Sequence, residues 1–331
     1  MTPTPQPPPT KTLTAHCFCR AVHYTLTLPT AHLPLPVHLC HCSICRYTHG
    51  TPCIFHAPLP PNITPSFIPP STPAALTSYK HSAHALSTRV FCSTCGAQVG
   101  DINLSLLPHE SQPRWTVSSS LFTDHGSEYF RIDRHIFTDS AVGGLHTLLP
   151  RVGGRELEVF KGDYVPASAG RVLPPEPPEA EREVGRDREE RMRAQCHCAG
   201  VSFTFPRPTS GVYEDDGGVL SKYVSPVDGR KWMATMDICG DCRLQNGTHV
   251  VGWTFIPLGL IEPVVDSRLV MGTAKVFESS EGVRRAFCGR CGATVFYWCV
   301  ERGEVVDVAT GLLRVPGRRK VRGEGCLRRS G

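Results

Sequence analysis

Cysteine spacing constrains this chain more than any other feature of its sequence. A C-x-C pair, a group containing C-x-x-C and a final C-x-x-C followed by glycine occur in that order twice. Thirteen of the sixteen cysteines belong to this pattern. Thiols at such spacings are typical zinc ligands, so the pattern predicts a metal-binding domain present in two copies. The cysteines are Cys17, Cys19, Cys40, Cys42, Cys45, Cys92 and Cys95 in the first copy, and Cys196, Cys198, Cys239, Cys242, Cys288 and Cys291 in the second.

The distance between matching cysteines supports a duplication. The first pair recurs 179 residues later, the middle pair 197 residues later and the last pair 196 residues later. A segment rich in proline and charge separates the two blocks, and only two copies occur. We therefore expect two tandem domains rather than a solenoid, which needs more units to bury a continuous core.

Length and composition predict a mainly β protein made of two small zinc-binding domains. A chain of 331 residues is long enough for two domains, and 30 Pro with 30 Gly disfavour long helices. Residues alternate between apolar and polar in several short runs, which is typical of strands, and we place the cysteines on turns between them. We expect a disordered tail at 1–11, a first domain at 13–138 with an extension to about 166, a linker at 167–193, a second, degenerate domain at 194–316 and a basic tail at 317–331.

Charge and hydropathy exclude several functional classes. Residues 314–331 carry seven Arg or Lys and one Glu, a net of +6 against +5 for the whole chain, so the remainder is close to neutral. A nucleic-acid-binding face is therefore not indicated. No apolar run reaches the roughly 18 residues of a membrane helix, and the N-terminus lacks the features of a signal peptide. We expect a cytoplasmic or nuclear protein that is not secreted, with thiols reduced or bound to metal.

The outer cysteines of each copy predict a structural zinc site. Four thiolates complete a tetrahedral zinc site and leave no position for a substrate. Glycine after the last cysteine suits the turn that such a site requires. A redox C-x-x-C motif or an iron–sulfur cluster fits less well, because the motif recurs with a matched C-x-C. The two sets are Cys17, Cys19, Cys92 and Cys95 in the first copy and Cys196, Cys198, Cys288 and Cys291 in the second.

The inner cysteines of the first copy predict a site for chemistry. Cys40, Cys42 and Cys45 offer three thiolates within six residues. Three protein ligands and one exchangeable position are the arrangement of catalytic zinc, which could bind a thiol and lower its pKa. The alternative is a closed structural site, with its fourth ligand from His41, His49 or Cys53.

The second copy differs at this inner group. Asp237 stands where the first copy has Cys40, beside Cys239 and Cys242. One carboxylate with two thiolates is a weaker and less typical zinc set. We expect the second copy to keep its structural zinc and to have lost the inner metal.

These residues resemble the glutathione-dependent formaldehyde-activating enzyme family, which includes the centromere protein V domain. The resemblance implies a β-tent fold of small coiled antiparallel sheets, a structural Cys₄ zinc and a Cys₃ zinc at the active centre. It also implies carbon–sulfur lyase chemistry, the reversible condensation of formaldehyde with glutathione. The second copy has no equivalent of His135-Ile-Phe137. The matching motifs are Cys17-Phe-Cys19, Cys40-His-Cys-Ser-Ile-Cys-Arg46 and Arg89-Val-Phe-Cys-Ser-Thr-Cys-Gly-Ala97, and then Cys196-His-Cys-Ala-Gly200, Cys239-Gly-Asp-Cys-Arg243 and Arg285-Ala-Phe-Cys-Gly-Arg-Cys-Gly-Ala-Thr-Val-Phe296.

Two functions follow as hypotheses. The first is a lyase that acts on a thiol–aldehyde adduct such as S-(hydroxymethyl)glutathione, with glutathione as its partner and Cys40, Cys42 and Cys45 as the ligands of an open zinc site. The second is a non-catalytic, zinc-stabilised binding scaffold. Arg46 and Arg243 either meet a substrate carboxylate or lie on the solvated surface.

A third hypothesis, redox sensing or zinc storage, requires exposed thiols of low pKa. The cysteines outside the pattern are its candidates, although buried or spare thiols explain them more simply. These three cysteines are Cys53, Cys299 and Cys326. The sequence leaves the oligomeric state undetermined.

Overall fold

The computed structural model describes residues 7–85, 87–103, 113–141, 143–162, 183–186, 188–209 and 219–314. The fold is mainly β, as predicted, with small antiparallel sheets and cysteine clusters that could bind zinc. In these ranges, every helix is too short or too polar to cross a membrane.

The elements are short and occur in both halves of the chain. Strands of the N-terminal half are β1 (Thr10–His16), β2 (His23–Pro29), β3 (Leu35–Cys40), β4 (Ile54–Pro58), β5 (Ser66–Phe67), β6 (Leu76–Tyr79), β7 (Ser87–Cys92), β8 (Gln98–Asn103), β9 (Arg114–Ser118), β10 (Phe130–Ile136), β11 (Arg151–Val152), β12 (Arg155–Glu156) and β13 (Glu158–Val159). Those of the C-terminal half are β14 (Glu183–Val184), β15 (Glu190–Gln195), β16 (Ser202–Pro206), β17 (Ala234–Asp237), β18 (Val251–Pro257), β19 (Ala274–Ser280), β20 (Val283–Cys288), β21 (Thr294–Cys299), β22 (Val305–Ala309) and β23 (Leu313–Arg314). The α-helices are α1 (Ser43–His49), α2 (Leu145–Leu148) and α3 (Gly240–Asn246).

Alternation of side chains explains the first hairpin. Tyr24, Leu26 and Leu28 of β2 are buried, while the residues between them are partly or fully exposed. Because successive side chains of a strand point to opposite faces, one face of β2 packs into the core. Each fully buried side chain of this kind contributes about 1.5–3 kcal/mol to folding. β1 pairs with β2 along its whole length, which places the turn with Cys17 and Cys19 at the end of the hairpin.

The large sheets of the two halves have the same strand order. In the N-terminal half, eight strands lie in the order β13-β10-β3-β4-β9-β8-β7-β6. In the C-terminal half, six strands lie in the order β17-β18-β22-β21-β20-β19, which matches the run from β3 to β6. The N-terminal sheet has two further strands, and these form its only parallel pairs among the described residues, β3 with β10 and β10 with β13. β10 carries His135 and so places it beside the inner cysteines.

Two short helices correct the expectation that the cysteines lie on turns between strands. Cys42 and Cys239 precede α1 and α3, and their sulfur atoms accept hydrogen bonds from the backbone N–H of Cys45 and Cys242. Such caps satisfy backbone donors that a helix leaves free at its start. Gly50 and Gly247 then end the two helices in the left-handed conformation that favours glycine.

The halves pack against each other through reciprocal backbone contacts. Gly50 lies so close to the Thr294 carbonyl oxygen that a Cβ there would collide with it, and Gly247 stands in the same relation to Gln98. The rings of Phe91 and Phe287 meet edge to face, with centroids 6.4 Å apart. Each half also has its own hydrophobic core. A close backbone contact of the same kind is therefore made from each half to the other.

Two predicted boundaries differ from the structure. Thr10 and Lys11, expected in a disordered tail, begin β1 because their backbone pairs with Pro29 and Leu28. The segment 167–193, which we expected to be a linker, contains β14 and most of β15, and these two strands pair with each other. The rest of that linker, from 167 to 182, lies outside the described residues, as do residues 1–6 and the basic tail at 317–331.

Candidate metal centres

The outer cysteines of the N-terminal half converge at the base of the first hairpin. Their four sulfur atoms lie within 4.8 Å of one another. Sγ of Cys19 is 3.5 Å from Sγ of Cys17 and 3.6 Å from that of Cys92. Hydrogen bonds from Cys17 and Cys19 lower the pKa of Cys92, while hydrogen bonding with Cys17 raises the pKa of Cys95. The four thiols therefore titrate as one coupled group.

The outer cysteines of the C-terminal half form a second group of the same geometry. Sγ of Cys198 lies 3.6 Å from Sγ of Cys196 and 3.5 Å from that of Cys288, and Cys291 completes the set within 4.8 Å. Four sulfurs around one zinc ion at about 2.3 Å would stand roughly 3.8 Å apart, so both groups have the size of a tetrahedral thiolate site. Their donor chemistry and spacing fit a structural zinc ion.

The inner cysteines of the N-terminal half also come together. Cys40 ends β3, Cys42 caps α1 and Cys45 lies in its first turn, with the three sulfurs within 4.8 Å. Cys40 and Cys45 are buried, and Cys42 is partly exposed. Hydrogen bonds from Cys40 and Cys45 hold the pKa of Cys42 well below its usual range, while that of Cys40 is raised by its bonds to the same neighbours. The trio thus presents a thiolate-bearing group on its accessible side.

The proposed fourth ligands of this trio lie elsewhere. Among the described residues, His41, His49 and Cys53 contribute no atom to the group. His41 instead shares a hydrogen bond of 2.9 Å between its Nε2 and Nδ1 of His135, and Nδ1 of His49 lies 3.0 Å from the Cys45 carbonyl. Burial lowers the pKa of both His41 and His49 to about 3, so both rings are neutral. The arrangement favours three protein ligands over four.

The inner group of the C-terminal half differs in chemistry and exposure. Asp237, Cys239 and Cys242 also bring their ligand atoms within 4.8 Å, but Cys239 is exposed. The Asp237 carboxylate accepts from the backbone N–H of Cys239 at 2.8 Å and from the thiol of Cys242 at 3.2 Å. Burial raises the pKa of Asp237, but these hydrogen bonds lower it, and the net effect is a lowered pKa. A cavity of about 590 Å³ adjoins the group beside Ile238 and Gly240.

Each inner group has a buried arginine that the sequence analysis did not single out. Nη2 of Arg89 donates to Sγ of Cys45 at 3.5 Å, and Nη1 of Arg285 donates to Sγ of Cys242 at the same distance. The signal was present, because an arginine stands three residues before the last C-x-x-C in both blocks. A guanidinium at this distance favours the thiolate over the thiol.

Arg46 and Arg243 have neither of the predicted roles. Arg46 donates to the carbonyl oxygens of His41 at 3.1 Å and Ser140 at 2.7 Å. Arg243 donates to the carbonyl oxygen of Ser120 in the other half. Both guanidinium groups therefore hold backbone segments together, and neither is free on the surface.

The cysteines outside the pattern do not suit thiol sensing. Cys53 and Cys299 are buried, and burial raises the pKa of Cys53. A sensor thiol needs the opposite, exposure and a low pKa. Cys326 lies outside the described residues.

Comparison with known proteins bears on the N-terminal half. Residues 12–140 match the family model described as "Glutathione-dependent formaldehyde-activating enzyme". No curated protein matches the chain. The match supports one domain of this family, spanning the first Cys₄ group and the trio of Cys40, Cys42 and Cys45.

Proposed function

We propose that residues 13–138 form a zinc-dependent lyase domain that makes or breaks a carbon–sulfur bond in a thiol–aldehyde adduct such as S-(hydroxymethyl)glutathione. The observation that carries this proposal is the trio of Cys40, Cys42 and Cys45, which no fourth side chain of the described residues completes. The family match over the same segment supports the choice of glutathione and formaldehyde. We place the protein in the cytoplasm or nucleus.

Different residues of the site would have different roles in this reaction. Cys40, Cys42 and Cys45 would hold the zinc ion, and the hydrogen bond from Arg89 would favour the ionised form of Cys45. A zinc ion with three thiolate ligands has an exchangeable position, at which it lowers the pKa of a bound thiol. The buried, neutral pair of His41 and His135 packs behind the trio and adds no charge to it.

The chemical step is an addition that balances without an oxidant. The sulfur of the substrate thiolate attacks the carbonyl carbon of formaldehyde, and a carbon–sulfur bond forms. The electron pair of the carbonyl π bond moves to oxygen, which takes up the proton released by the thiol and becomes a hydroxyl group. In the reverse direction the hydroxyl loses its proton, the carbon–sulfur bond breaks, and thiol and aldehyde are released.

For the C-terminal half we propose a second, degenerate copy of this domain within residues 194–316. Its shared strand order and its own Cys₄ group support the duplication. Asp237 in place of a thiolate, beside the exposed Cys239, supports loss of the inner zinc ion. The segment at 167–182 would then link the two copies, because β14 and β15 already pair within the second.

Native mass spectrometry and thiol binding together test the proposal. We expect three zinc ions per chain, two in the Cys₄ groups and one at the trio. The substitution Cys42→Ser should remove one ion, abolish glutathione binding in calorimetry and leave thermal unfolding nearly unchanged. A wild-type chain with two zinc ions, or one that neither binds glutathione nor alters the rate of adduct formation, would instead be a zinc-stabilised scaffold.

A further inference from the structure

One residue of the C-terminal half reaches the inner site of the N-terminal half. The backbone N–H of His197 donates to the carbonyl oxygen of Tyr47 in α1 at 3.0 Å. Its ring Nδ1 lies 2.8 Å from the hydroxyl of Tyr79. These two bonds anchor both the backbone and the ring of His197 to the half of the chain that holds Cys40, Cys42 and Cys45.

A continuous series of contacts links His197 to the sulfur atoms. Its ring lies 6.1 Å from the ring of His81, edge to face. Nδ1 of His81 is 3.4 Å from Nη1 of Arg89, whose Nη2 donates to Sγ of Cys45 at 3.5 Å. Arg89 and Cys45 are buried, whereas Tyr79, His81 and His197 are only partly buried. These three polar side chains therefore form a rim between solvent and the trio.

Beside the C-terminal inner group, two apolar rings take the place of Tyr79 and His197. Phe18 occupies the position of His197 in its C-x-C loop, and Phe277 pairs with Arg285 as Tyr79 pairs with Arg89. The two phenylalanine rings meet edge to face at 6.0 Å, and the Phe18 backbone N–H donates to Leu244 at 3.2 Å. The backbone contact is thus the same on both sides, while the side chains differ. The hydrogen-bonded pair of Tyr79 and His197 is thus replaced by two phenylalanines, although Arg285 keeps a polar neighbour in Ser279 at 3.1 Å.

The donor groups around the rim suit an acceptor such as a carboxylate. Besides Arg89, the guanidinium of Arg314 lies over the ring of Tyr47 and donates to the carbonyl oxygen of Cys196 at 3.3 Å. Where Tyr79 donates its hydroxyl proton to Nδ1 of His197, the ring proton sits on Nε2. Among the described residues, nothing accepts a hydrogen bond from that Nε2. This donor is therefore available to a ligand.

We propose that His197, with Tyr79 and His81, recognises a carboxylate of the thiol substrate at the trio, so that the second half completes the site of the first. The inference rests on the proposed function, because it needs a thiol bound at Cys40, Cys42 and Cys45. It assigns the degenerate half a role in binding that does not require an inner metal of its own. In this proposal His197 contributes to substrate specificity, and the reacting sulfur and carbon lie at the trio.

Calorimetric titration of the zinc-loaded full chain tests this role with two thiols. Glutathione carries carboxylates and 2-mercaptoethanol does not. We expect His197→Ala to weaken glutathione binding about tenfold and to leave 2-mercaptoethanol binding unchanged, because only one hydrogen bond to a charged group is lost. Tyr79→Phe should weaken glutathione binding in the same direction. Phe18→Ala is the matched control, because it alters the same position of the other C-x-C loop, and it should change neither affinity.

The possible outcomes separate this inference from the proposed function. Wild-type affinity for glutathione in both His197→Ala and Tyr79→Phe overturns the inference and leaves the lyase proposal intact. Equal weakening of both thiols also overturns it, because that result indicates general damage to the site. A wild-type chain that binds neither thiol refutes the proposed function and the inference with it. If His197→Ala does not fold, Tyr79→Phe, which lies outside the C-x-C loop, decides alone.

Discussion

Arg89 donates a hydrogen bond from Nη2 to the sulfur of Cys45 at 3.5 Å, and both side chains are buried. A buried guanidinium is stable only when negative groups surround it. Asp101, 3.9 Å away, supplies one negative charge and is itself hydrogen-bonded to His56 at 3.0 Å. As a zinc ligand, Cys45 would supply another in its thiolate form. The arginine is therefore part of the charge balance of the inner site.

Removing this charge should weaken zinc binding at the trio. For Arg89→Gln we expect zinc affinity at one site to fall about 10–100-fold, the usual cost of losing a group that supports a metal ligand. Competition with a coloured chelator, followed by native mass spectrometry, measures which ion is released first. Arg285→Gln is the matched control and should leave the release profile unchanged, because we expect no zinc beside Cys242. Identical profiles for Arg89→Gln and wild type would contradict the prediction.

Close packing between the halves should make Gly50 sensitive to a single methyl group. Gly50 has a φ of +74°, and a Cβ there would meet the Thr294 carbonyl oxygen. In Gly50→Ala, the positive φ costs about 1 kcal/mol and overpacking against backbone adds about 1–3 kcal/mol. Gly153→Ala is the control, because Gly153 has a φ of +57° with nothing within 4 Å. Denaturant unfolding should show the larger loss for Gly50→Ala, and equal losses would argue against this packing.

Stability should depend on pH through His249, which lies 3.1 Å from the hydroxyl of Ser119 in the other half. Burial, with Arg243 and His125 nearby, lowers its pKa from 6.5 to about 4. Between these values the unfolded state binds a proton that the folded state does not, so stability rises with pH in this window. The contribution is complete above the unfolded pKa of 6.5 and is lost as the pH falls towards 4.

The variant His249→Gln keeps a hydrogen-bonding amide beside Ser119 and cannot titrate. From about pH 6.5 to about pH 5, wild type should lose about 2 kcal/mol more unfolding free energy than this variant. Protonation of the cysteine clusters affects both proteins and cancels in the difference. Chemical denaturation at several pH values measures it, and parallel curves for the two proteins would show that His249 titrates normally.

Restoring a thiolate should restore the inner site of the C-terminal half. Asp237 already brings its carboxylate within 4.8 Å of the sulfurs of Cys239 and Cys242. Asp237→Cys gives the three thiolates that zinc prefers, so native mass spectrometry should find four zinc ions instead of three. Asp237→Ser, which supplies no thiolate, should remain at three. Four ions in the unaltered chain would mean that the carboxylate is already a ligand.

The sequence predicted most about the candidate metal groups whose residues are close along the chain. Cys40, Cys42 and Cys45 lie within six residues, so a strand end and one helical turn suffice to gather them. It did not find the helices, because a cysteine that caps a helix through its sulfur, as Cys42 does, is not among the usual capping residues. The parallel pairing of β10 with β3 was also missed, since parallel partners are distant in sequence and leave no local signal.

The amino-acid sequence by itself predicted the four candidate metal-binding groups and the mainly β class of the fold, because repeated cysteine spacings and strand alternation can be read directly from it. The tertiary structure decided what surrounds those ligands. Whether Arg89 faces Cys45 depends on how distant strands of one half pack. Whether His197 lies beside Tyr79, across 118 residues of chain, depends on how the two halves fit together. Such contacts follow from long-range packing, which many different sequences satisfy and no short motif encodes.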